Sequence, residues 1–426
     1  MRGAVAVKMN TSNHHTHLLT NRLLFLKLSE LFWFFAINLL LFEMPLQNLT
    51  GFTLIDELVT ILFLTSALVK LANRKNQDVE LNAFGARALE CVGLLLLFGF
   101  ASNAVSCICL DIKPIAIDTF ACVKFPLALL SSVVVFERSQ SILQLFELEA
   151  KFLLVVMAIF GTLNLFVEID GFGVDPRYGL RASFQFFFGH PENLNLAIVG
   201  LVIALSPRYE QNTRWIVLAL AVMCLTLRSK AFAFVGVAVF LLVTWRNSKE
   251  LKLYHVVVGL GAVFLIGYDQ FNYYFSLDGA ARSELTRVGI LVANRFFPLG
   301  SGFATYASNI TSDPSYYSPL YYQYGLYTVE GLKPGNVAFL SDTFWPIVIG
   351  QFGWLGAICF CLILVLLFLF AYKVASSAGQ RLACILGFSY LLIESTAASA
   401  FFHPCSVYLA ICLGLIVCAP GDKEGI

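Results

Sequence analysis

The chain has 426 residues, of which 58% are hydrophobic and 13% charged, and its mean hydropathy is +0.78. Soluble globular proteins are usually about 45–50% apolar and about 25% charged, so this composition excludes a single water-soluble core and indicates an integral membrane protein. The formal net charge is only +1. This near-neutral balance gives no support for a nucleic-acid partner.

The first 23 residues are predicted to form a polar, cytoplasmic amino-terminal tail. They contain no compact apolar core followed by a small-residue cleavage site, so no cleavable signal peptide is predicted. His14, His15 and His17 lie together in this tail. Without a second cluster of ligands, they are interpreted as part of a solvated tail and not as a metal site.

Apolar stretches then follow one another along the chain, and a membrane-spanning helix needs about 20 mainly apolar residues. The sequence predicts an all-α, polytopic membrane protein of about twelve transmembrane helices. Helices 1–9 fall within 24–268 and helices 10–12 within 342–419, with a long extracytoplasmic loop over 269–341 and a cytoplasmic tail over 420–426. The predicted spans are 24–44, 52–72, 86–109, 114–136, 151–168, 191–206, 214–228, 230–245, 253–268, 343–372, 381–398 and 402–419.

The stretch 343–372 is too long for one straight crossing. Pro346 near its start and the series Gly350, Gly353 and Gly356 indicate that it begins as a bent or re-entrant segment packed against protein.

Basic residues alternate between the predicted loops. The first odd-numbered loop, residues 45–51, has no Lys or Arg, whereas every even-numbered loop is basic. Positive loops face the cytoplasm, so this alternation predicts an even number of spans and two cytoplasmic termini. The residues that flank the even-numbered loops include Lys70 and Arg74, Arg138 and Lys151, Arg208 and Arg214, Arg246 and Lys252, and Lys373 and Arg381.

Arginines nevertheless occur in three segments that this topology places outside. Permanently charged guanidinium groups bind phosphate oxygens in a bidentate manner, so their accumulation there favours a phosphate site. Contact with lipid headgroups, or pairing with Asp175, Asp278 or Glu284, is the alternative. The basic residues are Arg177 and Arg181 in the segment 168–190, Arg228 and Lys230 in LRSK, and Arg282, Arg287 and Arg295 in the long loop.

Three further features of the sequence are open to two interpretations. Lys124 lies inside a predicted span, where a charge is costly, and Asp118 is its expected structural partner. The long loop contains DPSYYSPLYYQYGLY. Its tyrosines, among them Tyr321 and Tyr322, suit either sugar rings or an interfacial aromatic belt. Because the polar groups collect on one side of the membrane, an enzyme is favoured over a flippase or transporter.

Four segments, in order, resemble the O-antigen ligase and polymerase superfamily over residues 170–372. FFGHPENLNLA resembles the family's His-Pro start of a span, and LTLRSKAFAF resembles its outer Ser/Arg segment. TRVGILVANRFFPLGSGFATY resembles the Arg-containing amphipathic helix followed by Pro and a G-x-G turn. SDTFWPIVIGQFGWLG has the spacing of the ligase motif, with Gly353 and Gly356 in the glycine places.

One departure from the ligase motif concerns the catalytic base. Asp342 stands where the ligases have a His, and an acidic residue there is more similar to the repeat-unit polymerases. The resemblance therefore implies polymerisation of undecaprenyl-pyrophosphate-linked repeat units without a metal or other cofactor. It also implies a multi-pass protein of the cytoplasmic membrane with an extracytoplasmic active site. Its substrates lie in membrane lipid, and chain-length regulator and flippase proteins work alongside it.

The same resemblance implies roles for individual residues. Arg287 and Arg228 are the expected catalytic arginines, and Asp342 is expected to accept a proton or position the acceptor. Adjacent arginines are expected to lower the pKa of Asp342, which weakens it as a base. His190 is the alternative base, or a structural residue that starts a helix. The expected substrate-binding residues are Arg181, Arg177, Arg282, Arg295, Lys230, His190, Tyr321 and Tyr322. A ligase that uses another acceptor, or a lipid-linked oligosaccharide flippase, remains the alternative function.

Overall fold

The computed structural model describes residues 28–50, 53–73, 82–136, 140–167, 169–179, 182–248, 268, 279–308, 316–340 and 342–419. The described chain is mostly helical, which confirms the all-α prediction, and its one sheet is the hairpin of β1 (Gly173–Val174) and β2 (Ser183–Phe184). Residues 253–267 of the predicted span 253–268 and the tails over 1–23 and 420–426 lie outside the described residues.

The helices agree with most of the predicted spans to within a few residues. They are α1 (Leu28–Leu41), α2 (Glu43–Thr50), α3 (Ile55–Ala72), α4 (Ala83–Ser106), α5 (Ile112–Val135), α6 (Gln140–Phe166), α7 (Pro191–Leu205), α8 (Tyr209–Cys224), α9 (Ser229–Ser248), α10 (Ala281–Arg295), α11 (Pro319–Gln323), α12 (Trp345–Val374), α13 (Ala378–Glu394) and α14 (Pro404–Cys418).

Four of these helices are long and apolar enough to cross a membrane: Ala83–Ser106, Ile112–Val135, Ser229–Arg246 and Trp345–Val374. Leu28–Leu41 and Pro404–Cys418 are apolar but shorter. Large apolar side chains such as Leu97, Phe152 and Ile358 are exposed on the helix surfaces. The hydrocarbon core of a membrane offers no water, so a segment that crosses it must form its backbone hydrogen bonds within a helix. The chain is therefore a membrane protein.

The start of α6 is the largest departure from the predicted boundaries. The sequence predicts a span from residue 151, whereas the helix begins at Gln140. Glu147 and Glu149 lie in this additional part, and hydrogen bonds satisfy both carboxylates. Glu147 binds Lys151 at 2.7 Å and Arg208 at 3.2 Å, and Glu149 accepts from Asn38 at 3.3 Å. Paired charges let the helix continue where the apolar pattern stops.

Contacts between helix ends bring several of the basic loops to one end of the molecule. The ammonium of Lys70, at the end of α3, donates to the carbonyl of Val135 at 2.8 Å, at the end of α5. The indole of Trp245, near the end of α9, donates to the carbonyl of Ala378 at 3.1 Å, at the start of α13. The predicted topology makes α3 and α5 parallel and α9 and α13 antiparallel, so each contact joins helix ends that are expected to lie on the same side.

Lys124 has a different partner from the one expected. Its ammonium lies 2.5 Å from the carboxylate of Asp56 on α3, and both side chains are at most 3% exposed. Asp118 instead accepts from the backbone N–H of Ala304 at 2.7 Å and from the hydroxyl of Ser308. The predicted pairing is wrong because the loop after α10 folds against α5 and binds Asp118.

The bend predicted in the stretch 343–372 is confirmed at one residue. Gly353 has φ 65° and ψ −165°, which interrupts α12. Such an interruption frees carbonyl groups that would otherwise accept within the helix. The carbonyls of Gly350 and Gln351 accept from the backbone N–H groups of Ser301 and Gly302 at 2.9 and 2.8 Å. The loop 299–302 therefore replaces the missing helical partners.

The rest of this loop is held by side chains of α4 and of the segment 316–323. Asn103 donates to the carbonyl of Phe303 and accepts from its N–H, at 3.0 and 2.7 Å. The hydroxyl of Tyr321 accepts from the N–H of Ala307 at 2.7 Å. Residues 300–308 are all buried. These bonds fix the carboxy end of α10 against α4 and α12, and thereby fix the helix that carries the arginines.

Candidate functional site

The first part of the site lies where α7 begins. His190 caps this helix: its Nδ1 accepts the backbone N–H of Glu192 at 3.2 Å. The interpretation of His190 as a helix-starting residue is confirmed. An Nδ1 that accepts a hydrogen bond leaves the proton of the neutral ring on Nε2. The free nitrogen then donates, so His190 in this form is not the alternative base.

Lys230, in the first turn of α9, joins the ends of three helices. Its ammonium lies 2.8 Å from Glu192 on α7 and 2.8 Å from Glu394 on α13. It also donates to the carbonyl of Ala397 at 3.3 Å. An ammonium has three donors, and these three acceptors match that number. Lys230 therefore positions the site, and its expected role as a phosphate ligand is not supported by this geometry.

Asp342 and Arg282 form the second part of the site. The carboxylate of Asp342 lies just before α12 and 3.0 Å from the guanidinium of Arg282, in the first turn of α10. The Arg282 side chain is 15% exposed and that of Asp342 is 33% exposed. The two groups can therefore contact a ligand from the solvent side while holding each other in place.

The pKa of Asp342 is raised above its ordinary value, so the predicted lowering is wrong. Burial of the carboxyl is the main cause, and the positive charge of Arg282 opposes it only in part. The negative charge of Glu192 raises the pKa further. Burial disfavours the charged form of an acid, and here it outweighs one adjacent guanidinium.

Electrostatic interactions connect the two parts of the site. Burial lowers the pKa of His190, and the positive charges of Arg228, Lys230 and Arg177 lower it further. The hairpin that carries Arg177 rests on the start of α9, where the Tyr178 hydroxyl lies 3.2 Å from that of Ser229. Arg177 and Arg228 are therefore close enough to His190 to affect its charge, and Asp342 interacts electrostatically with Lys230 and Glu192.

Two of the expected arginines are not brought into this group. Arg287 is 57% exposed and pairs with Glu284 on its own helix at 2.6 Å, which confirms the alternative of local pairing. Arg295 is exposed and lies over the ring of Phe296, 5.4 Å from its centroid. Thirteen residues separate Arg295 from Arg282, which is about 20 Å along a helix. Arg181 lies outside the described residues.

The tyrosines divide into structural and exposed ones. Tyr321 is 1% exposed, and its hydroxyl accepts from Ala307, so it stabilises the loop and cannot present a ring to a ligand. Tyr322 is 55% exposed, and its ring lies 5.5 Å from that of Tyr327. Only Tyr322 of the two candidates offers a free surface.

Glu192 and Glu394 are site residues that the sequence did not identify. Glu192 follows Pro191 at a helix start, where an acidic residue is ordinary. Glu394 lies in a predicted apolar span, and an ionisable residue in a span is by itself a signal of function. That signal was available for Glu394 but not for Glu192.

No protein-family model matches this chain, and no curated protein matches its sequence.

Proposed function

We propose that this protein is a glycosyltransferase of the cytoplasmic membrane that polymerises undecaprenyl-pyrophosphate-linked oligosaccharide repeat units at the extracytoplasmic face. The observation that supports this best is that the Arg282–Asp342 ion pair interacts electrostatically with Glu192 and Lys230, and that Arg228 interacts with the same Glu192. The group combines guanidinium ions suited to a pyrophosphate with a carboxyl whose raised pKa suits proton transfer. The polymer is a capsular, exo- or O-antigen polysaccharide.

In the proposed reaction, a hydroxyl oxygen of the acceptor repeat unit attacks the anomeric carbon of the donor glycan. The bond from that carbon to the pyrophosphate oxygen breaks, and its electron pair leaves with undecaprenyl pyrophosphate. Asp342 takes up the hydroxyl proton. Arg228 and Arg282 stabilise the charge that develops on the departing pyrophosphate, as preorganised donors do in low-dielectric sites.

The arginines are assigned by their surroundings. Arg228 and Arg282 are partly buried beside the other charged groups, whereas Arg287 is largely exposed and already paired. A guanidinium that is shielded from water interacts more strongly with a phosphate than an exposed one. Arg282 thereby takes the place that the resemblance gave to Arg287.

The test uses purified protein in proteoliposomes, supplied with lipid-linked repeat units and no added divalent metal. Wild-type protein should give a ladder of polymers on a gel. Arg228→Lys keeps the charge but loses the bidentate fork, so it should give mainly single repeat units. Arg295→Lys is the matched control, because Arg295 lies on the far end of α10.

Three results would contradict the proposal. A full ladder from Arg228→Lys would show that this arginine is not a specific pyrophosphate ligand. Transfer by wild-type protein only to an acceptor other than a repeat unit would replace the polymerase with a ligase. Movement of the lipid-linked units across the bilayer without any glycosidic bond formation would replace both with a flippase.

A further inference from the structure

A group of buried carboxyl groups lies outside the candidate site, where α3 packs against α5 and against the junction of α1 and α2. Glu43 and Asp56 are both 0% exposed, and Glu57 is half-buried. Among the described residues, the one cation that pairs with these carboxyls is Lys124, whose ammonium lies 2.5 Å from Asp56. These four residues are called the Asp56 cluster. If all three carboxyls were ionised, two negative charges would have no cation.

The polar side chains of α2 and α14 that face the cluster in the described part of the chain add no positive charge. The amide of Gln47 donates to Glu43 at 2.9 Å. At the start of α14, His403 and the thiol of Cys405 interact electrostatically with the cluster. Nδ1 of His403 accepts the backbone N–H of Cys405 at 3.2 Å, so this ring is neutral and has its proton on Nε2. The two excess negative charges therefore have to be compensated by protons.

Contacts between the carboxyls support the same conclusion. Side-chain hydrogen bonds join Glu43 to Asp56 and Glu57 to Asp56. One oxygen of each carboxyl is buried and receives no hydrogen bond from an N–H or hydroxyl group. An ionised carboxyl only accepts hydrogen bonds, whereas a protonated one also donates. Each hydrogen bond between two of these carboxyls therefore requires a proton.

The positions of the partners indicate which carboxyls are protonated. A carboxyl that is buried without a cation is neutralised by binding a proton, because this costs less free energy than burying the charge. Asp56 has the ammonium of Lys124 as its partner and hydrogen bonds with both glutamates, so it is the carboxyl that stays ionised. Glu43 and Glu57 then carry the protons. One ammonium and one carboxylate remain, and the buried cluster is neutral.

We propose that the Asp56 cluster is a proton-binding site that holds two protons at neutral pH, one on Glu43 and one on Glu57. Both glutamates donate to the carboxylate of Asp56, which also accepts from Lys124. Glu43 is the first residue of α2, so the packing of the junction between α1 and α2 against α3 depends on bound protons. The site is independent of the proposed function, and neither of the two tests below uses polymerisation.

The first test is infrared difference spectroscopy of the full-length protein in nanodiscs at neutral pH. The C=O stretching band of a protonated carboxyl is separate from the bands of a carboxylate, and it shifts in D2O. Glu43→Gln and Glu57→Gln should each remove one such band. Lys124→Met should add one, because Asp56 then loses its cation and binds a proton itself. If either glutamine variant keeps every band of the wild type, the proposal is wrong.

Glu330→Gln is the matched control for these spectra. Glu330 is 68% exposed and pairs with Lys333. An exposed carboxyl beside a lysine is ionised at neutral pH, so this variant should lose no band. Sodium is the alternative ligand of a carboxyl cluster. Exchanging choline chloride for sodium chloride should leave the bands of Glu43 and Glu57 unchanged, and their loss in sodium would replace the proton site with a metal-cation site.

The second test measures stability against pH, by reversible unfolding in mixed micelles with tryptophan fluorescence as the readout. Unfolded glutamates are ionised at neutral pH, so the folded protein holds two protons that the unfolded protein has lost. Stability falls as the pH rises wherever the folded state binds more protons, and each such proton lowers the folding equilibrium constant about tenfold per pH unit. Between about pH 6 and 8, Glu43→Gln or Glu57→Gln should therefore reduce the wild-type dependence by about tenfold per pH unit, and the double variant by about 100-fold.

The control and the contradicting outcomes use the same measurement. Glu330→Gln should keep the pH dependence of the wild type. Glutamine has the shape and the neutral charge of a protonated glutamate, so Glu43→Gln and Glu57→Gln should both fold, as checked by size-exclusion chromatography. Loss of folding in both single variants, or a double variant with the pH dependence of the wild type, overturns the proposal.

Discussion

The carboxyl of Asp342 lies 3.0 Å from a guanidinium, yet its pKa is raised, because partial burial acts more strongly than the adjacent charge. A carboxyl with a raised pKa is protonated at higher pH than an ordinary one, and the protonated form cannot accept another proton. The transfer rate should therefore fall as the pH falls through this pKa. The acid limb should lie above about 3.9, the ordinary value for Asp.

The corresponding variant is Asp342→Asn, which keeps the shape but cannot take up the proton. It should lower the polymerisation rate by about 100- to 10,000-fold, as expected for a lost general base, and remove the acid limb. Asp170→Asn, at an exposed turn carboxylate, is the control and should behave as wild type. Near-normal activity of Asp342→Asn would remove this residue from the mechanism.

A second prediction at the residue scale compares two arginines on the same helix. Arg282 is 15% exposed and holds Asp342, whereas Arg287 is 57% exposed and pairs with Glu284. Arg282→Lys should lower polymerisation by at least about tenfold, and Arg287→Lys should change it by less than about fivefold, since exposed pairs contribute at most about 1 kcal/mol. Chain-length distributions measured at equal protein levels provide the comparison. The reverse order would return the leading role to Arg287.

At the scale of the elements, the interrupted helix α12 depends on one backbone conformation. Gly353 adopts a φ and ψ that are essentially restricted to glycine, and a Cβ there would lie 2.4 Å from the carbonyl carbon of Leu299. Gly353→Ala should therefore destabilise the protein by about 1–3 kcal/mol or more from backbone strain alone. Fluorescence-detected thermal unfolding in detergent should show a lower midpoint.

Gly93 offers the matched control for that substitution. It lies in the regular helix α4, and a Cβ there would have no neighbour within 4 Å. Gly93→Ala should be neutral or stabilise by about 0.5–1 kcal/mol, because Ala favours the helix. Equal midpoints for the two variants would show that the contact between residue 353 and the loop 299–302 does not determine stability.

Three helix ends meet at Lys230, which is 13% exposed. Lys230→Met would leave the carboxylates of Glu192 and Glu394 without their cation. Breaking a buried ion pair from one side typically costs about 3–5 kcal/mol, so a large fall in the unfolding midpoint is expected. Adding Glu394→Gln to Lys230→Met should recover part of the loss, because one of the two uncompensated charges is then gone.

Lys333→Met is the control for Lys230→Met. Lys333 pairs with Glu330 at 2.6 Å, but the two side chains are 45% and 68% exposed. Solvent-exposed pairs contribute about 0–1 kcal/mol, so this variant should unfold close to wild type. A Lys230→Met protein as stable as Lys333→Met would mean that the three helices do not depend on this cation.

The sequence predicts local features of the elements well where one physical rule dominates. Long apolar runs predicted α4, α5, α9 and α12, and the glycine series predicted the bend at Gly353. Side-chain partners depend on contacts between distant segments, which periodicity does not contain. The sequence therefore predicts Asp118 as the partner of Lys124, whereas Asp118 is bound by a loop nearly two hundred residues away in the chain.

In the candidate site, too, the sequence predicts which residues lie on the same side but not which side chains pair. The sequence indicated Arg282, Asp342, Arg228 and Lys230 as neighbours because they fall on one side of the predicted topology. It could not show that Lys230 is neutralised by two glutamates, or that Tyr321 is buried under the loop of Ala307. Whether a charged group is buried and paired depends on how distant helices pack. This packing shows which residues only position the site and which are exposed enough to contact a substrate.

At the scale of the whole molecule, the prediction concerns orientation. The basic, even-numbered loops lie at one end of the helices, where Lys70 and Arg208 make contacts between α3 and α5 and between α6 and the turn before α8. The proposed site lies at the ends where α7, α9 and α12 begin. Positive loops are retained in the cytoplasm, so the basic end should face inward and the site outward.

Reporter fusions can test this orientation without any substrate. Green fluorescent protein, which folds in the cytoplasm, should fluoresce when fused after Asn73, Ser248 or Ser376. Alkaline phosphatase, which needs the oxidising exterior, should be active after Leu110 or Tyr327. The fusion after Tyr327 is the most informative, because an outward location there requires the stretch 253–268 to cross the membrane once.

The pattern of results separates two errors. If every fusion reports the opposite side, the orientation is inverted and the proposed site faces the cytoplasm, where it would not meet units that have already crossed the membrane. If the fusion after Tyr327 reports cytoplasm and the fusion after Ser376 no longer fluoresces, while the earlier fusions are unchanged, the crossing over 253–268 is absent. Since α10 carries Arg282 to Asp342 on the start of α12, these two residues must share one side of the membrane. A cytoplasmic Tyr327 would therefore also remove the even count of spans that the alternation of basic loops predicts.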